Sequence, residues 1–393
     1  TDGRDGVYGY RFSDRTKGNG ASTWIAPKLT ARKSYFFCDN VVVALASDID
    51  NTASSYPSHT TLIQNLLPSA DTPISVNGSD ITGLSYTADI TEDGPATLTD
   101  IAGNSYYIAN AKGLHMQRAE QTSRNDQDKA DTRGNYFTAW LDHGSKVADG
   151  EYEYAVTVRG GASASKPDYT VLRKDRVAHI VSFGDRRGVV VFESATETGD
   201  ALVSSATEPC AVWLTETGND NVTLSVANPD LGYYPKGNTW GTFPHQCWSI
   251  AANRQFAASE VQPTLKGDWV ADKPNDKVTV KAYDAATGTT TVVFNGINAE
   301  SLTVGLRKGT SGIADITAGD GFTVQPVVTD GPLTVTLPAD SGISAVTVVD
   351  LCGRVVTTAP AAGRTALDLD LSAAAPGHYL VAAGTAVRRI IQR

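Results

Sequence analysis

Residues 32–49 read RKSYFFCDNVVVALASDI: two cationic side chains, a long apolar run, one polar break at Asp39-Asn40, then more apolar residues. A strand with one wet face alternates apolar and polar positions. A continuous apolar run bounded by turn residues predicts a strand covered on both faces, and therefore stacked sheets. Elsewhere the pattern is one of short strands separated by turn clusters. PISVNGSDI (73–81) carries Asn77-Gly78, a strong hairpin signal. TLTDIAGNSYYIAN (97–110) reads as strand, turn and strand, NYFTAWLDH and YEYAVTV as aromatic-rich strands, and YTVLRKDRVAHIVSF (169–183) as two strands around a charged turn.

A second β-rich block runs from residue 184 to 306, where DKVTVKAYDAATGTTTVVF predicts a hairpin. Within it, YPKGNTWGTFPHQCWSI (234–250) gathers aromatic residues among turn formers; it reads as a loop with its own apolar cluster or as a sugar-stacking platform. Small and polar residues at 307–322 predict a linker, and the short strands of 323–393 a third, smaller β unit. Long helical periodicity is missing. The expected fold is all-β: a large sandwich over 1–183, a smaller β domain over 184–306, and a small β-sandwich tail.

Composition agrees with a globular chain, with 41% hydrophobic and 19% charged residues in 393. No run approaches the roughly 20 apolar residues of a membrane-spanning helix. The formal net charge of −10 argues against a nucleic-acid partner. Residues 1–40 run the other way, with seven cations against four anions. That local excess either attracts a polyanion or is simply solvated loop charge. The first residue is Thr1, with no signal peptide before it, so the chain is expected to be processed or cut from a longer one.

None of the four cysteines, Cys38, Cys210, Cys247 and Cys352, forms a CxxC pair, which disfavours a zinc site. Cys210 and Cys247 are either a disulfide or buried thiols, and Cys38 reads as a small core residue. Six histidines are scattered outside any HExxH, GxSxG or glycine-rich phosphate motif. His143, next to Asp142 at a strand end, is the most site-like of them. Asp126, Asp128 and Asp131 superficially suggest calcium ligands, but the spacing of a calcium loop is missing. No cofactor is expected, a divalent metal such as calcium having no motif behind it, and no catalytic residue set is visible.

The segment LTARKSYFFCDNVVVALASDIDNTASSYPSHTTLIQN resembles the signature region of polysaccharide lyase family 8, through Lys33, Ser34, Tyr35, Phe36, Phe37, Asp39, Ser47, Ile49, Thr60, Thr61 and Gln64. SRNDQDKADTRGNYFTAWLDHG, YEYAVTV, YTVLRKDRVAHI, SVANPDLG and LKGDW follow in the order of its chondroitin sulfate ABC lyase branch, so that the resemblance covers residues 1–306. It implies a β super-sandwich and β-elimination on acidic glycosaminoglycans. The base removes the uronate C5 proton while neighbouring groups neutralise the carboxylate. In that family the catalytic His, Tyr and Arg lie in a preceding α/α-toroid domain and the Glu ahead of the Lys-Ser-aromatic motif. The resemblance therefore implies that no catalytic residue lies in this chain and that its partners are the toroid and a sulfated glycosaminoglycan. Arg32, Lys33, Arg124 and His143 are the residues expected to touch substrate.

The tail, VTVVDLCGRVV followed by LDLDLSAAAPGHYLVAAGTAVRRIIQR, resembles the C-terminal sorting domain of type IX secretion in Bacteroidetes. The likeness rests on Asp350, Gly353, Arg354, Pro376, Gly377, Tyr379, Arg388, Arg389 and Arg393. It implies the type IX machinery as a partner and a secreted or cell-surface location. A non-catalytic glycan-binding or cell-surface protein is the competing expectation. An enzyme with its own site at His143 and Asp142 is a third.

Overall fold

The computed structural model describes residues 2–13, 29–53, 55–125, 130–161, 165–218, 220–228, 259–296, 299–309, 322–339, 342–384 and 386–393. The chain divides into two compact units, residues 1–308 and 309–393. Among the described residues there is no helix, and the fold is all-β.

The first half of the larger unit holds β1 (Gly6–Ser13), β2 (Leu29–Cys38), β3 (Val41–Asn51), β4 (His59–Leu66), β5 (Ile74–Val76) and β6 (Ser79–Ile81). Then come β7 (Tyr86–Ile90), β8 (Ala96–Thr99), β9 (Ser105–Ile108), β10 (Leu114–Arg124), β11 (Asp131–Asp142) and β12 (Gly150–Thr157). They form an eight-stranded sheet in the order β1-β2-β3-β12-β9-β8-β5-β6 and a four-stranded sheet in the order β4-β11-β10-β7.

The second half begins with β13 (Thr170–Lys174), β14 (Ala178–Phe183), β15 (Arg186–Val191), β16 (Val203–Ala206), β17 (Cys210–Thr217) and β18 (Asn221–Ala227). It ends with β19 (Ser259–Val261), β20 (Pro263–Lys266), β21 (Trp269–Ala271), β22 (Val278–Val280), β23 (Thr289–Gly296) and β24 (Leu302–Lys308). A seven-stranded sheet runs β13-β14-β15-β17-β18-β24-β21. A five-stranded sheet holds β16-β20-β23-β19, with β22 also on β23.

Three cores separate these four sheets. Ala44, Ala46, Ile108 and Tyr152 of the eight-stranded sheet pack on Ile63, Met116 and Phe137 of the four-stranded one. Phe36, Val43 and Leu45, pointing the other way, pack on Val181, Val190 and Trp213 of the seven-stranded sheet. Val189, Val212 and Leu224 on its far face meet Leu265, Val292 and Phe294 of the five-stranded sheet. The apolar run of β2 and β3 is thus covered on both faces, as its pattern predicts. Close approach of the layers requires glycine at two places. A Cβ on Gly9 would lie 2.4 Å from Val190 Cγ1, and one on Gly188 2.4 Å from Phe36 Cδ1.

The boundary drawn after residue 183 falls in the tight turn between β14 and β15, which are hydrogen-bonded neighbours. Strong turn residues at Gly184-Asp185 mark a hairpin there, with the same sheet on both sides. Residues 307 and 308 belong to β24, while 310–321 of the expected linker lie outside the described residues. The aromatic insert 234–250, with His245 and Cys247, also lies outside them. Cys38 and Cys210 are buried free thiols and Cys352 an exposed one.

The smaller unit contains β25 (Thr323–Gln325), β26 (Val328–Thr329), β27 (Pro332–Thr336), β28 (Ala345–Asp350), β29 (Val355–Pro360), β30 (Ala366–Asp370), β31 (Gly377–Ala383) and β32 (Ala386–Gln392). Sheets β25-β27-β30 and β26-β32-β31-β28-β29 enclose a core around Val335, Val348, Leu369, Val381 and Ile390.

Candidate functional site

Side chains alternate across a strand, so residues two apart on β1 and β2 share a face. Tyr8, Tyr10 and Phe12 of β1 stand opposite Tyr35, Lys33 and Ala31 of β2. One strand further, Tyr35 and Lys33 stand opposite Ala44 and Ala46, whose partners on β12 are Tyr154 and Tyr152. The small alanines leave space for the long side chains on either side of them. Lys33 Nζ lies 5.6 Å from the Phe12 ring centre and 5.9 Å from that of Tyr152. Tyr8 stacks on Tyr35 at 6.4 Å and lies against Tyr10 at 5.5 Å. The result is a cation embedded in aromatic rings at one margin of the eight-stranded sheet.

The titration behaviour of this cluster follows from burial. Desolvation lowers the Lys33 pKa. It raises Tyr10 to about 12, Tyr35 adding to the effect, and it pushes Tyr152 and Tyr154 well above the phenol range. Tyr35 contributes to the upward shifts of both Tyr10 and Tyr152. At neutral pH these phenols are proton donors, and none is poised as a base.

His143 joins the same cluster. It follows β11, its ring 6.3 Å from Tyr152 and its Nε2 2.9 Å from Thr60 Oγ1. Burial lowers its pKa, Asp142 opposing and Lys33 reinforcing the shift. A cavity of about 250 Å³ opens beside it, lined by Asp142, His143, Glu151, Tyr152, Glu153 and Lys174 among others. Three of these groups are already engaged: Lys174 Nζ lies 3.1 Å from Glu151, and the Tyr169 hydroxyl donates to Glu153 at 3.0 Å.

Lys33 and His143 are therefore neighbours, whereas Arg32 and Arg124 are elsewhere. Arg32 points to the opposite face of β2, its guanidinium 2.6 Å from Glu193 and 3.6 Å from Asp48. Arg124 ends β10, ten residues from Leu114, or roughly 34 Å along the β10–β11 ribbon. It pairs there with Asp131 at 3.1 Å.

A second constellation lies on the outer face of the four-stranded sheet, opposite its core. Asp142 stands between His59 Nε2 at 3.5 Å and His115 Nε2 at 3.9 Å; His115 Nδ1 is 2.6 Å from Asp89 and its ring stacks on Trp140 at 5.4 Å. Four strands contribute one or two residues each, so nothing local in the chain announces the group. Among the described residues no group of three or more His, Cys, Asp or Glu side chains is arranged to hold a metal ion. Asp126 and Asp128 lie outside those residues.

Residues 1–167 match a known family model, "Polysaccharide lyase family 8, super-sandwich domain". Residues 1–167 are thus similar to a family 8 super-sandwich domain. The similarity continues beyond them. The chain is 30% identical over 275 residues to the chondroitin sulfate ABC exolyase of Proteus vulgaris, covering 67% of this chain and 27% of that protein. It is 30% identical over 290 residues to the exolyase of the same description from Bacteroides thetaiotaomicron, covering 70% of this chain and 27% of that protein. It thus spans about a quarter of the length of these curated relatives. Among solved structures, Paenibacillus xanthan lyase superposes with a TM-score of 0.55 at 16% identity, over 98% of this chain and 39% of that one. Streptomyces coelicolor A3 chondroitin AC lyase in complex with chondroitin sulphate gives 0.51 at 18% identity, over 77% and 36%. These two likenesses concern the fold.

Proposed function

We propose that this chain is the β-sandwich part of a secreted glycosaminoglycan lyase that cleaves chondroitin or dermatan sulfate, with hyaluronan as a further candidate, by β-elimination. In this reading it scaffolds a catalytic toroid domain and lines one side of the polysaccharide groove. The observation that carries the reading is the 30% identity to chondroitin sulfate ABC exolyases, which runs through the super-sandwich and on into the second pair of sheets. The chemistry of the site is compatible with this division of labour. Lys33 and the phenols of Tyr10 and Tyr152 are donors suited to a carboxylate and hydroxyls, while the elimination itself needs a base near its operating pH.

The tail adds a location to the proposal. Asp350 accepts hydrogen bonds at 2.9 Å from the backbone N–H of Cys352 and of Arg354, closing the turn that carries Gly353, and it accepts another from Arg354 Nε at 2.7 Å. This is the stretch whose sequence resembles a type IX sorting domain, and we assign the protein to the cell surface or the medium on that likeness.

The test follows the ultraviolet absorbance of the 4,5-unsaturated uronate with chondroitin sulfate as substrate. The full-length protein is expected to generate the signal and this chain alone to give a flat trace. A flat trace from folded full-length protein overturns the lyase reading in favour of a non-catalytic glycan-binding protein. A rising trace from this chain alone overturns its assignment as scaffold.

A further inference from the structure

The margin of the eight-stranded sheet carries an aromatic strip, two of whose rings are exposed. Tyr8 is 53% exposed and Phe37 44%, on the same face as Tyr10, Lys33 and Tyr35. The residue opposite Phe37 on β1 is Gly6, so no neighbouring side chain on that strand shields the ring. Three rungs follow one another along the margin: Tyr10 with Lys33, Tyr8 with Tyr35, and Gly6 with Phe37. They span four residue steps, roughly 14 Å, comparable with the length of a disaccharide. Single exposed apolar residues are ordinary on a protein surface, but a contiguous patch marks a binding surface.

The charge at the inner end of the strip selects the occupant. Among the described residues no carboxylate lies within ion-pair distance of Lys33, whose ammonium is half-buried against the Phe12 and Tyr152 rings. A cation desolvated in this way gains most from an anion brought in with the ligand. Tyr10, opposite Lys33 on β1, stays protonated and offers a hydroxyl to the same ligand. A purely apolar partner would leave Lys33 uncompensated. A free anion would make no use of the exposed rings.

We propose that Tyr8, Phe37 and Lys33 form a subsite for one acidic disaccharide of a polysaccharide, a uronate carboxylate meeting Lys33 and pyranose faces stacking on Tyr8 and Phe37. The assignment rests on the glycosaminoglycan reading above and adds the residues that grip the chain outside the reaction centre. The energetic logic is that of aromatic anchors around a buried charge: large rigid faces contribute contact, and the charge contributes selectivity.

The experiment titrates this chain calorimetrically with a size-defined chondroitin sulfate hexasaccharide and with uncharged cellohexaose. Tyr8→Ala, Phe37→Ala, Lys33→Gln and the control Tyr56→Ala, at a ring 75% exposed in the loop before β4, are compared after circular dichroism shows each to be folded. Tyr8→Ala and Phe37→Ala are each expected to weaken hexasaccharide binding about tenfold. Lys33→Gln weakens it and flattens its salt dependence. Tyr56→Ala binds as the parent chain does, and cellohexaose binds least.

Equal affinities for parent, Tyr8→Ala and Phe37→Ala overturn the subsite, as does the absence of hexasaccharide binding by the parent chain. Variants of unchanged affinity that instead weaken docking of the preceding segment in the full-length protein assign the strip to a protein contact and also overturn it. Unsaturated-product formation is scored separately. Equal turnover by full-length parent and Tyr8→Ala removes the subsite and leaves the lyase. Binding lost in Tyr8→Ala without product from any form removes the lyase and leaves the subsite.

Discussion

His179 on β14 is hydrogen-bonded through Nδ1 to Ser34 Oγ on β2 at 2.7 Å, across the boundary between the seven- and eight-stranded sheets. Its Nε2 is 3.0 Å from Ser47 Oγ on β3, and the edge of its ring meets Phe192. The residue is fully buried, and desolvation, aided by Lys174, lowers its pKa to about 3. Above the ordinary imidazole value of 6.5 the folded and unfolded chains are both neutral at this position. Below it the unfolded chain takes up a proton that the folded chain refuses until about pH 3. Stability contributed by the neutral bridge is therefore lost as pH falls through that window, at up to about 1.4 kcal/mol per pH unit. His179→Gln keeps a polar bridge without the titration. Urea unfolding of parent and variant at pH 7.5 and 4.5 should show the parent losing about 2–3 kcal/mol more than the variant. Parallel losses would contradict the assignment.

The same interface limits side-chain size at Gly188. An added methyl would sit 2.4 Å from Phe36 Cδ1 and 3.2 Å from Trp213 Cε3, inside a layer with no open side. Gly188→Ala is expected to lower stability by about 1–3 kcal/mol. Phe36→Leu in the same chain should return part of that loss, because the clash is with the ring. Additive costs in the double variant would mean that the backbone, and not Phe36, resists the methyl.

Much of this layering was legible in the pattern of residues. Both parities of β2 and β3 are apolar, and only a strand buried on two faces needs that. The pattern could not say which parity faces which neighbour. Ser34, Ser47 and His179 look like isolated polar breaks in three apolar strands, and their meeting depends on registers set by contacts 132 and 145 residues apart. The aromatic margin was readable in part, since Tyr8, Tyr10 and Phe12 alternate as do Lys33, Tyr35 and Phe37. What remained hidden was their pairing, and that the alanines of β3 let Lys33 approach Tyr152. Arg32 and Lys33 are adjacent in the chain and so point to opposite faces; they looked like one basic patch and have separate environments.

Arg187 and Asp200 form a buried ion pair at 2.9 Å, with Asp200 shielded completely from solvent. Asp200 Oδ1 also accepts from the backbone N–H of Leu202 and of Val203, both at 2.8 Å. Arg187 Nη2 donates to the more exposed Glu216 at 2.7 Å. Removing Asp200 leaves Nε of a buried guanidinium and two backbone donors unmet, so Asp200→Ala should cost about 3–5 kcal/mol. Glu216→Ala keeps the inner pair and should cost about 1 kcal/mol or less. Denaturant midpoints of the two variants give the ratio, and equal shifts would refute the hierarchy.

Arg118 on β10 is 1% exposed and lies in the core face of the four-stranded sheet. Its Nε donates to Gly83 O at 2.8 Å, and its Nη2 donates to Ala70 O at 3.0 Å and Thr72 O at 2.8 Å. One side chain thus fastens the segment between β4 and β7 at three of its backbone carbonyls. The fork geometry matters, because three acceptors are met from two nitrogens in one plane. Arg118→Lys restores a charge but not those directions and should behave like Arg118→Met. Both variants are expected to lose amide protection by about tenfold or more across residues 70–83, consistent with about 1–3 kcal/mol for an orphaned buried acceptor. Protection in β14 and β15, in the seven-stranded sheet on the far side of the eight-stranded one, should stay within about twofold of the parent. Hydrogen exchange followed by mass spectrometry separates the two regions. Uniform loss across the larger unit would show that Arg118 supports the whole sandwich and not this segment alone.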